Sequence, residues 1–249
     1  MDGRQVMRSF GLLGKTLAHS FSPRFFNDYF KTQRIDAQYK ALEIEAIEHA
    51  VPHLNGSFHG LNVTVPYKET IIPFLDDLSE EAQAIGAVNT IVFQNGKTVG
   101  HNTDAFGFQQ AIKPFLTFEH ERALILGTGG SSKAVAYVLR NIGIQVNFLS
   151  REKSGANVYP YDSVNDAMLG TCKLIVNCTP LGMFPNIDAC PLPSFQGIGP
   201  SHLIVDLIYN PQETLLLKEA KSLGAVTLNG LPMLKAQALK SWELWNQFD

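Results

Sequence analysis

Two groups of residues in this chain have types and spacing that could do chemistry. The first is A-L-I-L-G-T-G-G-S-S-K-A-V-A, at positions 123–136. Here Gly127 allows a tight turn after an apolar strand, and Gly129 lets the backbone approach a pyrophosphate. The helix that follows offers unpaired N–H groups and a positive dipole end to phosphate. Ser132 stands where G-x-G-x-x-G would place its last glycine. With a strand before and a helix after, nucleotide binding outweighs a plain glycine turn. The next strand ends F-L-S-R-E-K, with Arg151 24 positions after Gly127. An arginine there offers a planar fork for the extra phosphate of NADP, where a site for NAD places an acid for the ribose hydroxyls. Lys153 adds positive charge, whereas Glu152 either repels that phosphate or binds a ribose hydroxyl. The competing reading of Arg151 is a solvated surface charge.

The second group precedes the first. G-L-N-V-T-V-P-Y-K, at 60–68, puts Asn62 and Thr64 on one face of a strand with Lys68 just past its end. G-A-V-N-T at 86–90 and H-N-T-D at 101–104 are further polar clusters at the ends of elements. Three such clusters ahead of a cofactor loop point to a polar pocket for a small molecule. On their own, Lys68 and Asp104 read as a surface salt bridge.

These residues must be held by an alternation of short apolar strands and helices, the pattern of α/β folds with largely parallel sheets. Strands are expected at S-F-G-L-L-G, Tyr39–Ile44 and G-L-N-V-T-V-P. Ser22-Pro23 is expected to start a helix running to about Arg34, with Ser22 as N-cap. Helices are also expected over Glu45–Leu54 and from Ser79 to near Gly86. N-T-I-V-F and K-T-V-G-H, separated by Asn95-Gly96, form an expected hairpin. A helix from about Asp104 to Leu116 leads to a second series, with strands A-L-I-L-G, Q-V-N-F-L-S, K-L-I-V-N-C and L-I-V-D-L-I. Gln212–Leu223 reads as a helix, A-V-T-L-N as a strand and Leu231–Phe248 as a closing helix. The domain boundary falls near residue 103.

The 249 residues carry a net charge of −3 with both signs well mixed, which argues against nucleic acid or an anionic membrane as the main partner. Three cysteines, with no C-x-x-C spacing, read as reduced thiols. Cys178, at an apolar strand end, is expected to be buried and inert. No H-x-x-x-H pair supports a metal site, and none is expected. No stretch is apolar enough for a signal peptide or a membrane span, so a soluble cytoplasmic enzyme is expected.

Taken together, these segments resemble the shikimate dehydrogenase family over nearly the whole chain. The resemblance rests on G-K-T-L-A-H-S-F-S-P, N-V-T-V-P-Y-K, G-A-V-N-T, N-T-D-A-F-G, G-T-G-G-S-S-K-A, N-C-T-P-L-G-M, D-L-I-Y-N-P and N-G-L-P-M-L-K-A-Q-A, in that order. It implies an N-terminal α/β substrate-binding domain plus a Rossmann-type NADP-binding domain, with a cleft between them. The first would comprise residues 1–103 and the C-terminal helix at 230–249, and the second 104–229. The implied reaction is reversible NADPH-dependent reduction of 3-dehydroshikimate to shikimate, on the route to chorismate and the aromatic amino acids.

By the same resemblance Lys68 and Asp104 are the catalytic pair. The lysine gives a proton to the carbonyl oxygen as hydride arrives, and the carboxylate orients the amine. Ser20 and Ser22 hold the substrate carboxylate through their hydroxyls. Asn62, Thr64, Asn89 and Gln237 bind the ring hydroxyls or support residues that do, and Tyr209 is a further substrate contact. Gly127, Thr128, Gly129, Gly130 and Ser131 form the phosphate loop, with Ser150 and Arg151 on the adenosine phosphate. Thr179, Leu207 and Gly230 line the nicotinamide side. Against the family pattern, Thr16 replaces a proline and Ala105 a glycine, Pro232 enters the segment before Met233, and Ser150-Arg151-Glu152 replaces Asn-Arg-Thr. The implied partner is the small-molecule substrate alone, with the chain a monomer or homodimer. A quinate/shikimate dehydrogenase with relaxed substrate or cofactor use shares these motifs. A non-catalytic nucleotide-sensing relative is expected to lack Lys68 or Asp104, and both are present.

Overall fold

The computed structural model describes residues 7–247 except Lys153, so that residue and Phe248, the expected end of the closing helix, lie outside the described residues. The chain divides into two compact units. One runs through Thr103 and resumes from Ala238 onward, and the other is Asp104–Gln237.

The first unit opens with β1 (Arg8–Gly14), α1 (Phe21–Gln33), β2 (Ala37–Glu43) and β3 (Gly60–Val63). It continues through β4 (Asp77–Leu78), α2 (Glu80–Ile85), β5 (Thr90–Gln94) and β6 (Lys97–His101), and α3 (Thr103–Ile112) begins at its edge. The strands form one six-stranded mixed sheet in the order β2-β1-β3-β5-β6-β4. β1 runs parallel to β2 and β3, while β5 is antiparallel to both β3 and β6. Alternation along β1 sends Phe10 and Leu12 to one face, against Phe26, Phe30 and Trp245, and Leu13 to the other, against Leu61 and Ile91.

Several local expectations hold and several shift. Asn95 (φ 52°) and Gly96 (φ 75°) both take the left-handed conformation that a two-residue hairpin turn requires. Ser79 caps α2 by accepting from Ala82 N–H at 3.2 Å. The expected helix over Glu45–Leu54 is instead a 3-10 helix, Ile47–His53, because Pro52 inside it lacks the N–H that an α-helical ladder needs. α1 starts earlier than expected. Its N-cap is Ser20, which leaves Ser22 within the first turn and buried. β3 ends at Val63, so Thr64 lies just beyond the strand it was expected to share with Asn62.

The second unit adds β7 (Arg122–Leu126), α4 (Gly130–Asn141), β8 (Gln145–Leu149), β9 (Val158–Tyr159) and α5 (Asp166–Thr171). It continues with β10 (Leu174–Asn177), β11 (Leu203–Asp206), α6 (Leu215–Ser222), β12 (Val226–Leu228) and the start of α7 (Leu231–Asn246). All its strand pairs are parallel, in the order β12-β11-β10-β7-β8-β9. β10 and β11 are buried along their whole length, as expected for strands covered on both faces. The chain order reverses between β7 and β10, the position at which open α/β sheets bind ligands beyond their strand ends. Cys178, one residue past β10, is half-buried, and Cys172 is the buried thiol. Among the described residues, no helix is long and apolar enough to cross a membrane.

Candidate active site

In the first unit the substrate-side residues gather at the end of β3. Thr64 N–H donates to the Leu13 carbonyl at 2.8 Å and Tyr67 N–H to that of Thr64 at 2.9 Å, closing a turn across the cis Val65–Pro66 bond. Tyr67 is buried and its hydroxyl donates to the Ile44 carbonyl at 2.7 Å. This fixes the backbone of Lys68, whose carbonyl accepts from Val88 N–H at 2.7 Å. Asn89 follows directly, and its own carbonyl accepts from Val63 N–H at 2.9 Å. The ladder thus brings Asn62, Lys68 and Asn89 to one end of β3, with Thr64 half-buried beside them.

Asn62 and Asn89 are 4% and 3% exposed, although a polar strand face is more commonly solvated. Burial on this scale demands hydrogen-bond partners, and both amides have them. Asn62 Oδ1 accepts from the Tyr39 hydroxyl at 2.7 Å, and its Nδ2 donates to the Asn89 carbonyl at 3.0 Å. Asn89 Oδ1 accepts from Thr103 N–H at 2.7 Å, immediately before Asp104.

Ser20 and Ser22 sit together at the N-terminus of α1, whose first turn contains no acidic residue. Ser20 makes no side-chain capping bond. Burial pushes the Tyr39 phenol well above its ordinary value, and the Ser22 side chain partly offsets this.

In the second unit Asp104 is buried in the first turn of α3. Gly107, one turn on along the same face, meets the start of α7. A Cβ there would lie 2.6 Å from the Met233 carbonyl oxygen and 2.9 Å from Gln237 Cβ. Glycine therefore lets Gln237, itself buried, approach the face of α3 that carries Asp104.

The glycine loop lies at the reversal point of the sheet. Gly127 has φ 99°, and a side chain on it would press on Thr179 Cγ2 at 3.0 Å. Gly129 is the N-cap of α4, a Cβ on it would meet nothing within 4 Å, and no acidic residue occupies the first turn. Thr128, Gly130 and Ser131 complete this open helix N-terminus. Ser132 is buried within α4 with its hydroxyl oxygen lacking a hydrogen-bond partner. Beyond β8, buried Ser150 accepts from Glu152 N–H at 3.3 Å, a tight turn whose middle residue is the exposed Arg151. This donor set fits a dinucleotide with an additional phosphate: an open helix N-terminus for the pyrophosphate, and a guanidinium beyond the next strand.

Sequence reasoning missed the residue that organises the far side of this unit. Asp206, at the end of β11, is fully buried. Its Oδ1 accepts from Asn177 Nδ2 at 2.9 Å and Ile208 N–H at 3.0 Å, and its Oδ2 from Thr214 Oγ1 at 2.6 Å. Asn177 Oδ1 in turn accepts from Thr179 N–H and Oγ1 at 2.9 and 2.7 Å. One carboxylate thus fixes the segments carrying Thr179 and Leu207, and the latter runs on to the half-buried Tyr209. Desolvation pushes Asp206 up to about 6, against the lowering effect of these hydrogen bonds. Gly230 packs so closely on the Leu207 carbonyl that a Cβ there would collide with it. The available signal was an aspartate ending an otherwise apolar strand, L-I-V-D.

A reversed parallel sheet with a glycine turn at its switch point makes the second unit a dinucleotide-binding domain of Rossmann type. Residues 12–91 match the family model described as shikimate dehydrogenase substrate binding domain. The NADP(+) shikimate dehydrogenase of Methanosphaera stadtmanae is 36% identical, covering 94% of this chain and 90% of the relative. The shikimate 5-dehydrogenase of Thermus thermophilus, solved with NADP(H) and shikimate, superposes with a TM-score of 0.86 at 34% identity, covering 97% and 94% of the two chains. Quinate dehydrogenase from Corynebacterium glutamicum, solved with NAD, gives 0.85 at 29% identity over 96% and 94%. The chain belongs to the shikimate dehydrogenase family.

Proposed function

We propose that this chain catalyses the reversible NADPH-dependent reduction of 3-dehydroshikimate to shikimate, on the route to chorismate and the aromatic amino acids. The observation that carries this reading is a single chain, alike to these enzymes nearly end to end, that keeps both the polar end of β3 and an open glycine loop at the Rossmann switch point. The first unit is assigned to the substrate and the second to the cofactor. When bound, NADPH supplies the hydride that reduces the ketone carbon. Gly127 to Ser131 would hold the pyrophosphate, Ser150 and Arg151 the adenosine phosphate, and Thr179, Leu207 and Gly230 the nicotinamide side.

Lys68 delivers a proton to the carbonyl oxygen as negative charge develops there, and recovers it when shikimate is oxidised. Asp104 is the carboxylate assigned to orient the lysine amine. Ser20 and Ser22 donate to the substrate carboxylate at the positive end of α1, which adds a favourable dipole. Asn62, Thr64, Asn89, Tyr209 and Gln237 are assigned to the ring hydroxyls or to supporting them. The chain is assigned to the cytoplasm, where its free thiols stay reduced, as a monomer or homodimer.

A second reading is use of quinate or NAD: the likeness to a quinate dehydrogenase solved with NAD favours it, and the Glu152 carboxylate next to Arg151 opposes the extra phosphate of NADP. Initial rates with shikimate and quinate, each with NADP+ and NAD+, separate the two. The proposal expects shikimate with NADP+ to give the highest kcat/KM. No turnover of shikimate with either cofactor overturns it.

A further inference from the structure

The first unit contains buried polar groups to which the reaction above gives no part. The Asn89 carbonyl can only accept, so Asn62 turns Oδ1 to the Tyr39 hydroxyl and, on its other side, Nδ2 to that carbonyl. There Nδ2 meets Thr90 Oγ1 at 3.1 Å and Ser241 Oγ at 3.0 Å, besides the Asn89 carbonyl. Ser241, on α7, is completely buried. Its oxygen also lies 2.8 Å from Thr90 Oγ1 and 3.1 Å from Thr103 Oγ1. The ring closes on the second amide: Thr90 Oγ1 donates to Asn89 Oδ1 at 3.1 Å, and Asn89 Nδ2 donates to Thr103 Oγ1 at 3.0 Å.

A hydroxyl has one proton and two lone pairs, so this arrangement has a sense. Tyr39 gives its proton to Asn62 Oδ1, one Asn62 proton goes to the Asn89 carbonyl and the other is shared between Ser241 and Thr90, and the threonine hydroxyls donate to Asn89 Oδ1. Reversing Asn62 would set its Oδ1 against the Asn89 carbonyl, and reversing Asn89 would set its Nδ2 against the Thr103 N–H. A carboxamide with its two ends exchanged shows a ligand an acceptor where a donor is needed, at no change in shape. α7 is the element that supplies Ser241, so a helix remote in sequence helps set what the end of β3 presents.

We propose that Tyr39 and Ser241 are positioning residues for substrate binding, acting through one shared buried network that holds the amides of Asn62 and Asn89 in place. The inference rests on the reading that this end of β3 binds shikimate. Neither residue touches the ligand in this account. Both act through the amides.

The test is a double-mutant cycle of Tyr39→Phe and Ser241→Ala, with steady-state rates for shikimate and NADP+ and thermal unfolding measured in parallel. Each substitution removes one oxygen atom, and Phe at 39 keeps the stacked contact with Phe26, whose ring centroid lies 4.6 Å away. Each single variant is expected to raise the shikimate KM about five- to tenfold, the size of one lost hydrogen bond. The NADP+ KM should stay within about twofold, and kcat should fall less than KM rises. The double variant should be no worse than the poorer single, because both act through Asn62. An unchanged shikimate KM with a lowered Tm makes the network merely structural and overturns the proposal. A double effect equal to the product of the singles overturns the shared network. The wild type separates the two readings. Without wild-type turnover of shikimate, the functional reading and this inference fall together. With it, unresponsive variants remove this inference alone.

Discussion

Lys68 owes its placement to its backbone: its carbonyl takes the Val88 N–H, and the preceding Tyr67 is anchored through its hydroxyl. Truncating the side chain leaves those bonds in place. We therefore predict that Lys68→Ala loses turnover by about 10²- to 10⁴-fold, the range for removing a general acid, with a shikimate KM altered far less. Steady-state kinetics check this, and turnover near that of the wild type would remove the proton-transfer role. Asn62 and Asn89 stood out in the sequence as polar residues at the ends of apolar strands, whereas Lys68 on its own read as half of a surface salt bridge and took its assigned role from the family resemblance. Tyr39 and Ser241 did not stand out. A tyrosine in a strand and a serine in an amphipathic helix look like ordinary packing, and their partners lie up to 179 positions away. Ser22 was misread as a cap because Ser-Pro is a common helix opening, while the helix starts two residues earlier.

Among the elements, the segments after β10 and β11 depend on one buried carboxylate whose protonation is tilted by its surroundings. Asp206 is pushed up to about 6 in the folded protein, from an ordinary value of 3.8. The folded state thus binds this proton more tightly than the unfolded chain. Stability contributed by Asp206 is greatest below about pH 4 and is lost as pH rises toward 6. The shift corresponds to on the order of 3 kcal/mol. Asp206→Asn removes the titration, so the stability of the variant relative to wild type should improve by about that amount between pH 4 and pH 7. Urea unfolding at several pH values measures it, and a pH-independent difference would contradict it. Elements of this unit were read from apolar runs and glycine turns, which is why β7, β8, β10 and β11 were legible. β9 and α5 were not: two strand residues carry too little pattern to register, and α5 lacks the glycine stop that marks the equally short α2. The 3-10 segment at Ile47–His53 shows the opposite failure, where helical spacing was present and Pro52 decided the outcome.

Across the whole molecule, α7 begins in the second unit and ends in the first. Its Trp245 is buried against Phe10 and Phe26, donates to the Ile91 carbonyl at 3.0 Å, and fills the space that Gly60 leaves open. Losing a buried tryptophan costs about 3–5 kcal/mol, a large share of the roughly 5–15 kcal/mol that stabilises a domain. We predict that a fragment of residues 1–103 shows no cooperative thermal transition by circular dichroism, and that adding a peptide of residues 231–249 restores one. Cooperative unfolding of the fragment alone would count against this. That the closing helix returns to the first domain was open to sequence reading only through the family resemblance, because periodicity marks a helix and not its destination. The loan of this helix also imposes a timetable on the ribosome. Phe10, Phe26 and Phe30 leave the exit tunnel well before Trp245, which covers them and follows Phe30 by 215 positions. At about 5–20 residues per second, these phenylalanines wait roughly 11–43 s for their cover, while the middle of the chain can already fold. During translation, this protein is completed from the inside of its sequence outward.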